Sequence, residues 1–474
     1  MTATRIPIPA ADQTWLHMDR PNNLMYVHSV VWFAQAPEWS AFVAVLEERL
    51  LARFPVFSRR AVAIGGEWCW ESVPDFDLTR HVRAVTLSGD ETDLKAYISG
   101  RFSDPFDDDH PLWEVELISG IDGLPAVMLA RFHHALADGI RLTQLMLSLC
   151  DLDSDALPPR VGRSGSGLLS ATTALVRRSV TDGLDVARGM VALPARMLGA
   201  GFGPGWELLT RPRSVIDVLE RLGSEGNATV NTLAEITRVL TAARSVETSW
   251  SGEPGVTKTV SWITDLDLDL IKALGRLHGG TVNDVLLAVV SRAVSAYLAE
   301  KGGAVDEIHW MVPVSLQPLD AELPKDLGNH FSLVFLPMPL TIDDTASLIG
   351  AIRERMQRIK SSAEPVITFG VQWVIAESPK SVAVALTNLF ANKGVGVLTN
   401  VPGPRGPMSL AGAPVAGTLG WAPTSGDQPL SLCLFSYHGS VNIGIAADAG
   451  LIPDPDRIAE LLRDSFVEMI ADLD

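Results

Sequence analysis

One short element, set between two apolar runs, constrains this chain more than any other part of its sequence. Residues 133–139 read His-His-Ala-Leu-Ala-Asp-Gly. The run before it, 126–132, is typical of a buried strand, and the run after it, 140–150, is typical of a helix. The element therefore occupies the turn between a strand and a helix, and its polar side chains are candidates for a functional site.

The residue types in this element suit acyl transfer. An acyltransferase deprotonates a poor nucleophile, usually an alcohol or an amine, as that group attacks a thioester, and a neutral imidazole can accept the proton near neutral pH. We predict that His134, in the turn leaving the strand, is the base and that His133 shapes the loop beside it. Asp138 is expected to cap the following helix, and Gly139 to leave room for a ligand.

Two other interpretations of the element are open. The histidines can be a core pair beside an ordinary Asp-Gly helix start. A zinc site has less support, because no third His or Cys has the spacing of a ligand. The acidic run 107–109 raises a second metal hypothesis, but three consecutive carboxylates in a Pro-flanked loop favour a solvated surface. We predict no metal site.

Length and charge exclude several classes of protein. A chain of 474 residues is long enough for two or more domains, and its net charge of −18 argues against nucleic-acid binding. Cys69, Cys150 and Cys433 are far apart and have neither a paired nor a metal-like spacing, which is typical of free thiols in a reducing cytosol. We predict a cytoplasmic protein.

No segment has the pattern of a transmembrane helix. Residues 1–9 lack the charged and apolar regions of a signal peptide. The uncharged stretch 406–426 contains several Pro and Gly. The stretch 428–447 alternates in side-chain type and breaks at 438–440, which predicts a buried hairpin.

Two mixed regions flank a segment of different composition. The regions 1–158 and 255–474 are predicted to be domains, and 159–254 a helical crossover between them. Strands are predicted at 25–34, 61–71, 113–121, 126–132, 258–263, 309–314, 331–338, 430–437 and 441–447. Helices are predicted at 39–54, 91–102, 140–152, 267–278 and 282–301. The fold class is therefore α/β, an α+β sandwich with mixed sheets.

The crossover is locally basic and has one largely apolar helical face. Eight Arg lie between residues 160 and 213, against Asp182, Asp185 and Glu207. The face consists of side chains at steps of three or four residues: Leu169, Thr173, Val176, Val180, Leu184, Ala187 and Val191. The segment 160–213 can make a peripheral contact with the inner membrane or with lipid droplets, or it can pack on the body of the protein.

Shorter elements, in the same order as in a known family, accompany the histidine element. They lie at 12–16, 111–113, 283–288, 312–315, 328–329, 400–404 and 448–454. With them the chain resembles the bacterial wax ester synthase/diacylglycerol acyltransferase family almost end to end. The resemblance implies two chloramphenicol-acetyltransferase-like domains that meet at the active site. It also implies that His134 is the base, that Asp138 is structural, and that acyl-CoA and an acceptor alcohol approach from opposite faces.

The family elements add residues to the candidate site. The amide of Asn283 can donate to the oxyanion of a tetrahedral intermediate or cap the helix that follows it, and Asp284 is assigned with it to substrate binding. Thr399 and Asn400 either line the tunnel or set a Pro-Gly turn, which we favour slightly. Trp113 walls a substrate channel or is a core residue behind the active-site strand.

One position departs from the family pattern. The family often has Arg just before the Pro-Leu-Trp element, and this chain has His110. If that position holds a phosphate of CoA, the exchange weakens the affinity for CoA.

The sequence and the resemblance together predict an O-acyltransferase. It moves a long-chain acyl group from acyl-CoA, as co-substrate, to diacylglycerol or a fatty alcohol, forming triacylglycerol or wax ester without a cofactor. One alternative keeps the fold and uses a carrier-protein thioester, as condensation domains do. Another is a non-catalytic lipid-binding protein, although the complete histidine element counts against it.

Overall fold

The computed structural model describes residues 4–152, 246–315, 323–329, 331–361, 368, 372, 375–376 and 380–473. The predicted lipid contact at 160–213, with its helical face, lies outside the described residues. So does most of the predicted crossover.

A seven-stranded sheet holds the histidine element near its centre, in the order β5-β6-β7-β2-β14-β13-β8. Its strands are β2 (Tyr26–Phe33), β5 (Val82–Gly89), β6 (Trp113–Ile121), β7 (Ala126–His133), β8 (Asp151–Leu152), β13 (Met408–Leu410) and β14 (Ala413–Trp421). Strand β7 is antiparallel to both β2 and β6, and every one of its residues is buried. The apolar run 126–132 is thus a central strand, as predicted.

A six-stranded sheet forms the other large layer, in the order β11-β10-β12-β15-β16-β9. Its strands are β9 (Lys258–Asp267), β10 (Glu307–Ser315), β11 (Phe331–Pro339), β12 (Gly396–Val401), β15 (Leu430–Tyr437) and β16 (Ser440–Asp448). Strand β12 is parallel to both of its neighbours, and the other pairs are antiparallel. The α/β class with mixed sheets is therefore confirmed, as is the hairpin within 428–447.

A small third sheet corrects one sequence prediction. The predicted single strand 61–71 is a hairpin of β3 (Arg59–Ile64) and β4 (Glu67–Ser72), to which β1 (Arg5–Pro7) adds. The chain reverses at Gly65 and Gly66, whose φ angles are 63° and 95°. Glycine reaches this left-handed region without steric cost, so the Gly-Gly pair was the turn signal.

The helices pack on the two large sheets. They are α1 (Ala10–Met18), α2 (Trp39–Val45), α3 (Glu91–Phe102), α4 (Gly139–Leu149), α5 (Leu268–His278), α6 (Val282–Glu300), α7 (Thr345–Ser361), α8 (Lys380–Ala391) and α9 (Pro455–Ile470). A π-helical turn, Leu46–Leu51, continues α2, and short 3-10 turns lie at Pro55–Ser58, Leu78–Arg80 and Ala471–Leu473.

Helix α6 is apolar because it is the core of the six-stranded sheet's layer. By length and composition it is the single described helix that can cross a membrane, but 67% of its most apolar window is buried inside the protein. Its side chains pack with those of β10, β11 and α9 in one hydrophobic cluster. A helix that is apolar all round and buried is a normal core helix.

The two large sheets are connected by the chain and by side-chain contacts. Strands β13 and β14, which follow β12 in the chain, pair with β8 and β2 of the seven-stranded sheet. Trp262 of β9 lies between Trp32 and Trp421, with ring centroids 5.9 and 6.0 Å away. The domain boundaries at 158 and 255 remain predictions, but residues 408–421 join the sheet of the first region.

Candidate active site

The loop after β7 is held on both sides by its neighbouring segments. The backbone N–H of His134 donates to the carbonyl of Met25 at 2.7 Å, and that of His133 donates to the carbonyl of Leu112 at 3.0 Å. Both bonds extend the sheet's pairing beyond the last ladder residues. The histidine loop is therefore a fixed part of the sheet.

The imidazole of His134 is buried between aromatic side chains, and only 6% of the residue is exposed. It stacks on Trp15 of α1, with ring centroids 3.8 Å apart and planes 21° apart, and Phe331 lies 5.7 Å away. Desolvation lowers the pKa of His134 from 6.5 to about 3, and the electrostatic interaction with the neighbouring His133 acts in the same direction. The ring is thus neutral at pH 7, which is the state that can accept a proton.

The imidazole of His133 differs because both of its nitrogens have partners. Nδ1 accepts from the backbone N–H of Ala135 at 2.9 Å, and Nε2 donates to Asp19 Oδ2 at 2.8 Å. The other oxygen of Asp19 accepts from the backbone N–H of Met25. His133 therefore ties the loop to the residues before β2 and has no nitrogen left to take a proton from a substrate.

Asp138 and Gly139 begin α4. Asp138 is the N-cap, and its Oδ1 accepts from the backbone N–H of Arg141 at 2.8 Å. At Gly139 a built Cβ meets nothing within 4 Å, and the φ angle is not in the left-handed region. Neither backbone strain nor packing in the described structure requires glycine there, so the space beside it is available to a ligand.

A distant segment docks against the histidine loop. The backbone N–H of Gly328 donates to the carbonyl of Leu136 at 3.3 Å. The side-chain amide of Asn329 donates from Nδ2 to the carbonyl of His134 at 2.9 Å and to Asp12 Oδ1 at 2.7 Å. Asn329 therefore joins helix α1 to the backbone of His134.

Asp12 is a buried carboxyl at the centre of this junction. Its Oδ1 accepts from the backbone N–H of Asn329 at 3.0 Å as well as from the side chain. Desolvation raises the pKa of Asp12 from 3.8 to about 7, opposed by the hydrogen bonds from Asn329 and reinforced by the charge of Asp138. The carboxyl is kept in the core by its hydrogen bonds with Asn329.

A second polar cluster lies at the start of α6. Thr281 is the N-cap, and Thr281 and Asp284 form a capping box in which Asp284 Oδ2 accepts from the backbone N–H of Thr281 at 2.8 Å. Asn283 is in the first helical turn, and its Oδ1 accepts from Asn400 Nδ2 at 2.9 Å. Asn400 thus links β12 to α6 while the amide nitrogen of Asn283 is left as a donor.

Comparison with known proteins identifies the family. The profile of the wax ester synthase/diacylglycerol acyltransferase catalytic domain matches residues 8–286, and that of the corresponding C-terminal domain matches 327–470. The chain belongs to the wax ester synthase/diacylglycerol acyltransferase family. It is an acyltransferase that acts on lipid alcohols to form triacylglycerol or wax ester.

Individual relatives cover nearly the whole chain. A Mycobacterium tuberculosis protein named a probable diacylglycerol O-acyltransferase, tgs1, is 25% identical over 447 residues, covering 92% of this chain and 89% of its own. Another from that organism, tgs2, is 26% identical and covers 97% of each chain. The fold is similar to that of the wax ester synthase/diacylglycerol acyltransferase from Marinobacter aquaeolei, with a TM-score of 0.67, 18% identity and coverage of 98% and 99%.

A condensation domain has a similar fold as well. The first condensation domain of the calcium-dependent antibiotic synthetase aligns with a TM-score of 0.57 and 14% identity, over 99% of this chain and 96% of that one. The wax ester synthase/diacylglycerol acyltransferase fold is therefore related to that of condensation domains, and the family profile, not the fold, separates the two classes.

The structure brings some predicted site residues together and leaves others apart. His133, His134, Asp138 and Gly139 form one loop on the seven-stranded sheet, whereas Asn283 and Asn400 bond to each other across the six-stranded sheet's layer. No direct hydrogen bond joins the two groups among the described residues. Asn283 is not the helix cap, since Thr281 is, and the hydrogen bonds of the Asp284 side chain go to Thr281 in the capping box. The predicted role of Asp284 in substrate binding remains a prediction.

Three further predicted positions have defined surroundings. Trp113 is fully buried behind the histidine strand, and its Nε1 donates to the carbonyl of Phe57 at 2.8 Å. It also lines a cleft of about 260 Å³ with His110 and Arg80. Thr399 lies in β12, as Asn400 does, so both precede the Pro-Gly turn. Their tunnel-lining role stays a prediction.

The acidic run 107–109 is exposed, as predicted for a solvated loop. Asp109 pairs with Arg60 at 2.7 Å, and Asp107 lies 3.6 Å from His110. Within the described ranges no three His, Cys, Asp or Glu side chains are grouped as metal ligands would be.

Four residues of the site are not among those predicted from the sequence: Asp12, Trp15, Asp19 and Asn329. Three of them lie in elements that supported the family resemblance, at 12–16 and 328–329. Their roles depend on contacts between residues far apart in the chain, 317 positions for Asp12 and Asn329. No local pattern encodes such a contact.

Proposed function

We propose that His134 is the general base of acyl transfer from acyl-CoA to a lipid alcohol. Its Nε2 takes the hydroxyl proton as the alcohol oxygen forms a bond to the thioester carbonyl carbon. The tetrahedral intermediate then breaks its C–S bond, and the proton passes from His134 to the departing CoA thiolate. The products are the ester and free CoA, with no further reactant.

One observation carries this assignment. Of two adjacent histidines at the end of β7, His133 has both nitrogens in hydrogen bonds, while His134 is neutral and stacked on Trp15. Before substrate binds, a base with so low a pKa is weak. The negative charge that develops on the substrate supplies an opposite charge beside the imidazole, which raises its pKa during the reaction.

We propose that Asn283 stabilises the oxyanion. The hydrogen bond from Asn400 holds the carbonyl oxygen of the Asn283 side chain, and this orients its amide nitrogen as a donor. Removing one such donor typically costs about 100- to 1000-fold in kcat. Asn400→Ala should reduce the rate less than Asn283→Ala, because the former only loosens the donor.

The proposal extends to the identity of the acceptor alcohol and to the place where the protein meets it. Diacylglycerol O-acyltransferase is the activity named for both mycobacterial relatives, which favours diacylglycerol. We propose that the protein is cytoplasmic and meets its acceptor peripherally at the inner membrane or at lipid droplets, through the basic segment 160–213. Flotation of the full chain with anionic and neutral vesicles tests this contact.

An acceptor screen tests the function. Radiolabelled palmitoyl-CoA is offered with hexadecanol, monoacylglycerol, diacylglycerol and short alcohols, and His134→Ala is the matched control. We expect labelled triacylglycerol or wax ester from the wild type and none from the control. Turnover of a carrier-protein thioester but not of free acyl-CoA would contradict the donor assignment, and lipid binding without turnover on any alcohol would contradict the enzymatic one.

A further inference from the structure

We propose that Asn329 is a positioning residue that fixes the tautomer of His134 with the proton on Nδ1, and that Asp12 fixes the amide of Asn329. The inference rests on the proposed role of His134 as base. It adds a chain of contacts, Asp12–Asn329–His134, that decides which imidazole nitrogen is available to the substrate.

The orientation of the Asn329 amide is set by chemistry. Its Nδ2 has two hydrogens and two acceptors, Asp12 Oδ1 at 2.7 Å and the carbonyl of His134 at 2.9 Å. A flipped amide would bring its oxygen against the carbonyl of His134, which is an acceptor only, and against Asp12 Oδ1, which already accepts from the backbone N–H of Asn329. The carbonyl oxygen Oδ1 of Asn329 is therefore held away from Asp12.

Two buried polar atoms remain at this junction. Asn329 Oδ1 and His134 Nδ1 each have no hydrogen-bond partner within the described residues. Oδ1 is only an acceptor, and Nδ1 is a donor in one neutral tautomer and an acceptor in the other. The two side chains are already joined through the His134 carbonyl, so a hydrogen bond from Nδ1 to Oδ1 would satisfy both atoms.

The free energies favour one tautomer. With the proton on Nδ1, the imidazole N–H can donate to Asn329 Oδ1, and the Nε2 lone pair is left for the substrate. With the proton on Nε2, Nδ1 and Asn329 Oδ1 both stay buried as acceptors without a donor, which is unfavourable. Hydrogen bonds of the imidazole with its own backbone and, to a smaller extent, with the Asn329 side chain raise the pKa of His134 against the larger effect of desolvation.

Helix α1 supports this arrangement at two points. Asp12 and Trp15 are three positions apart, so they lie on the same face of the helix. Asp12 holds the amide of Asn329, and Trp15 stacks on the ring of His134. The helix therefore sets both the tautomer and the plane of the proposed base.

Nitrogen-15 NMR of the full chain labelled in histidine tests the proposal, because ring shifts and two-bond couplings distinguish the two tautomers. The His134 signals are assigned by their loss in His134→Ala. We expect the Nδ1-protonated tautomer in the wild type and in Asn392→Ala, a matched control whose side chain bonds to Asp427 and plays no part in the proposed site. Asn329→Ala should shift His134 toward the Nε2-protonated tautomer.

Two Asp12 variants separate positioning from folding. In Asp12→Asn the new amide oxygen can still accept from Asn329, so the Nδ1 tautomer and most of kcat should be kept. In Asp12→Ala both should be lost, with kcat about 10- to 100-fold lower and KM for palmitoyl-CoA nearly unchanged, as is usual for partners that orient a functional side chain. A circular dichroism melt confirms that each variant is folded.

The outcomes are distinguishable from those for the proposed function. A wild-type His134 protonated on Nε2, or a tautomer that Asn329→Ala leaves unchanged, overturns the positioning role even if His134→Ala is inactive. Full activity of His134→Ala overturns the base assignment whatever the tautomer.

Discussion

His133 and His134 are adjacent in sequence and both buried, yet their side chains have different neighbours. His133 faces Asp19 and the loop backbone, and both of its nitrogens are in hydrogen bonds. His134 faces Trp15 and Phe331, which offer aromatic surface. Successive side chains at a strand end point to opposite faces of the sheet. The imidazole of His133 is therefore held by structural hydrogen bonds, and that of His134 is available as the proposed base.

The largest expected effect on stability belongs to His133. In His133→Ala the N–H of Ala135 and the carboxylate of Asp19 lose their partner, so the free energy of unfolding should fall by about 3 kcal/mol. Urea unfolding followed by tryptophan fluorescence measures it. Asp19→Asn, whose single amide oxygen can accept from either His133 Nε2 or the Met25 N–H but not from both, should cost less because only one donor loses its partner. An unchanged urea midpoint for His133→Ala would contradict the structural role of His133.

The stacking of Trp15 on the His134 ring controls the surroundings of the proposed base. In Trp15→Ala water reaches the His134 ring, so its pKa should rise toward the ordinary value and its plane should loosen. We expect kcat to fall about 10- to 100-fold, as for residues that orient a reacting group, and the pH profile to gain a loss of activity below pH 6.5. Trp15→Phe, which keeps a stacking ring, is the control. Equal profiles for the two variants would contradict a role for stacking.

Gly139 tests whether the open space beside the loop belongs to a substrate. A Cβ there meets nothing within 4 Å, and the same holds for Gly350 in α7, which serves as a matched control. Both alanine variants should melt at or above the wild-type temperature, since Ala favours helix. KM for palmitoyl-CoA or for the acceptor should rise several-fold in Gly139→Ala alone. Identical kinetics in the two variants would argue that no ligand approaches Gly139.

A last effect concerns the dependence of stability on pH. The pKa of Asp12 is raised to about 7 in the folded chain, so between about pH 4 and pH 7 the folded state binds the extra proton. This part of the stability is present at low pH and is lost as pH rises through 7. Asp12→Asn lacks it, so its stability relative to the wild type should grow from pH 4.5 to 8. Parallel urea-unfolding curves for the two proteins would contradict the raised pKa.

The sequence predicted the parts of the site that are local. The apolar run before the histidines and the Asp-Gly pair after them define β7 and the capped start of α4, and His134 was singled out from its place in the turn. The prediction of a single strand at 61–71 is wrong, because Gly65 and Gly66 turn the chain into a hairpin. The docking of Asn329 on Asp12 and the pairing of β14 with β2 depend on the three-dimensional meeting of distant segments, which no local pattern specifies.

The central claim is that of these two neighbours His134 acts as the base and His133 does not. Single-turnover formation of radiolabelled ester from palmitoyl-CoA, with His134→Ala and His133→Ala compared at equal concentrations of folded protein, tests it most directly. We expect the rate to fall by about 100-fold or more in His134→Ala, as for loss of a general base, and by about tenfold or less in His133→Ala. A His134→Ala rate within a few-fold of the wild type, or a larger loss in His133→Ala, would contradict the assignment.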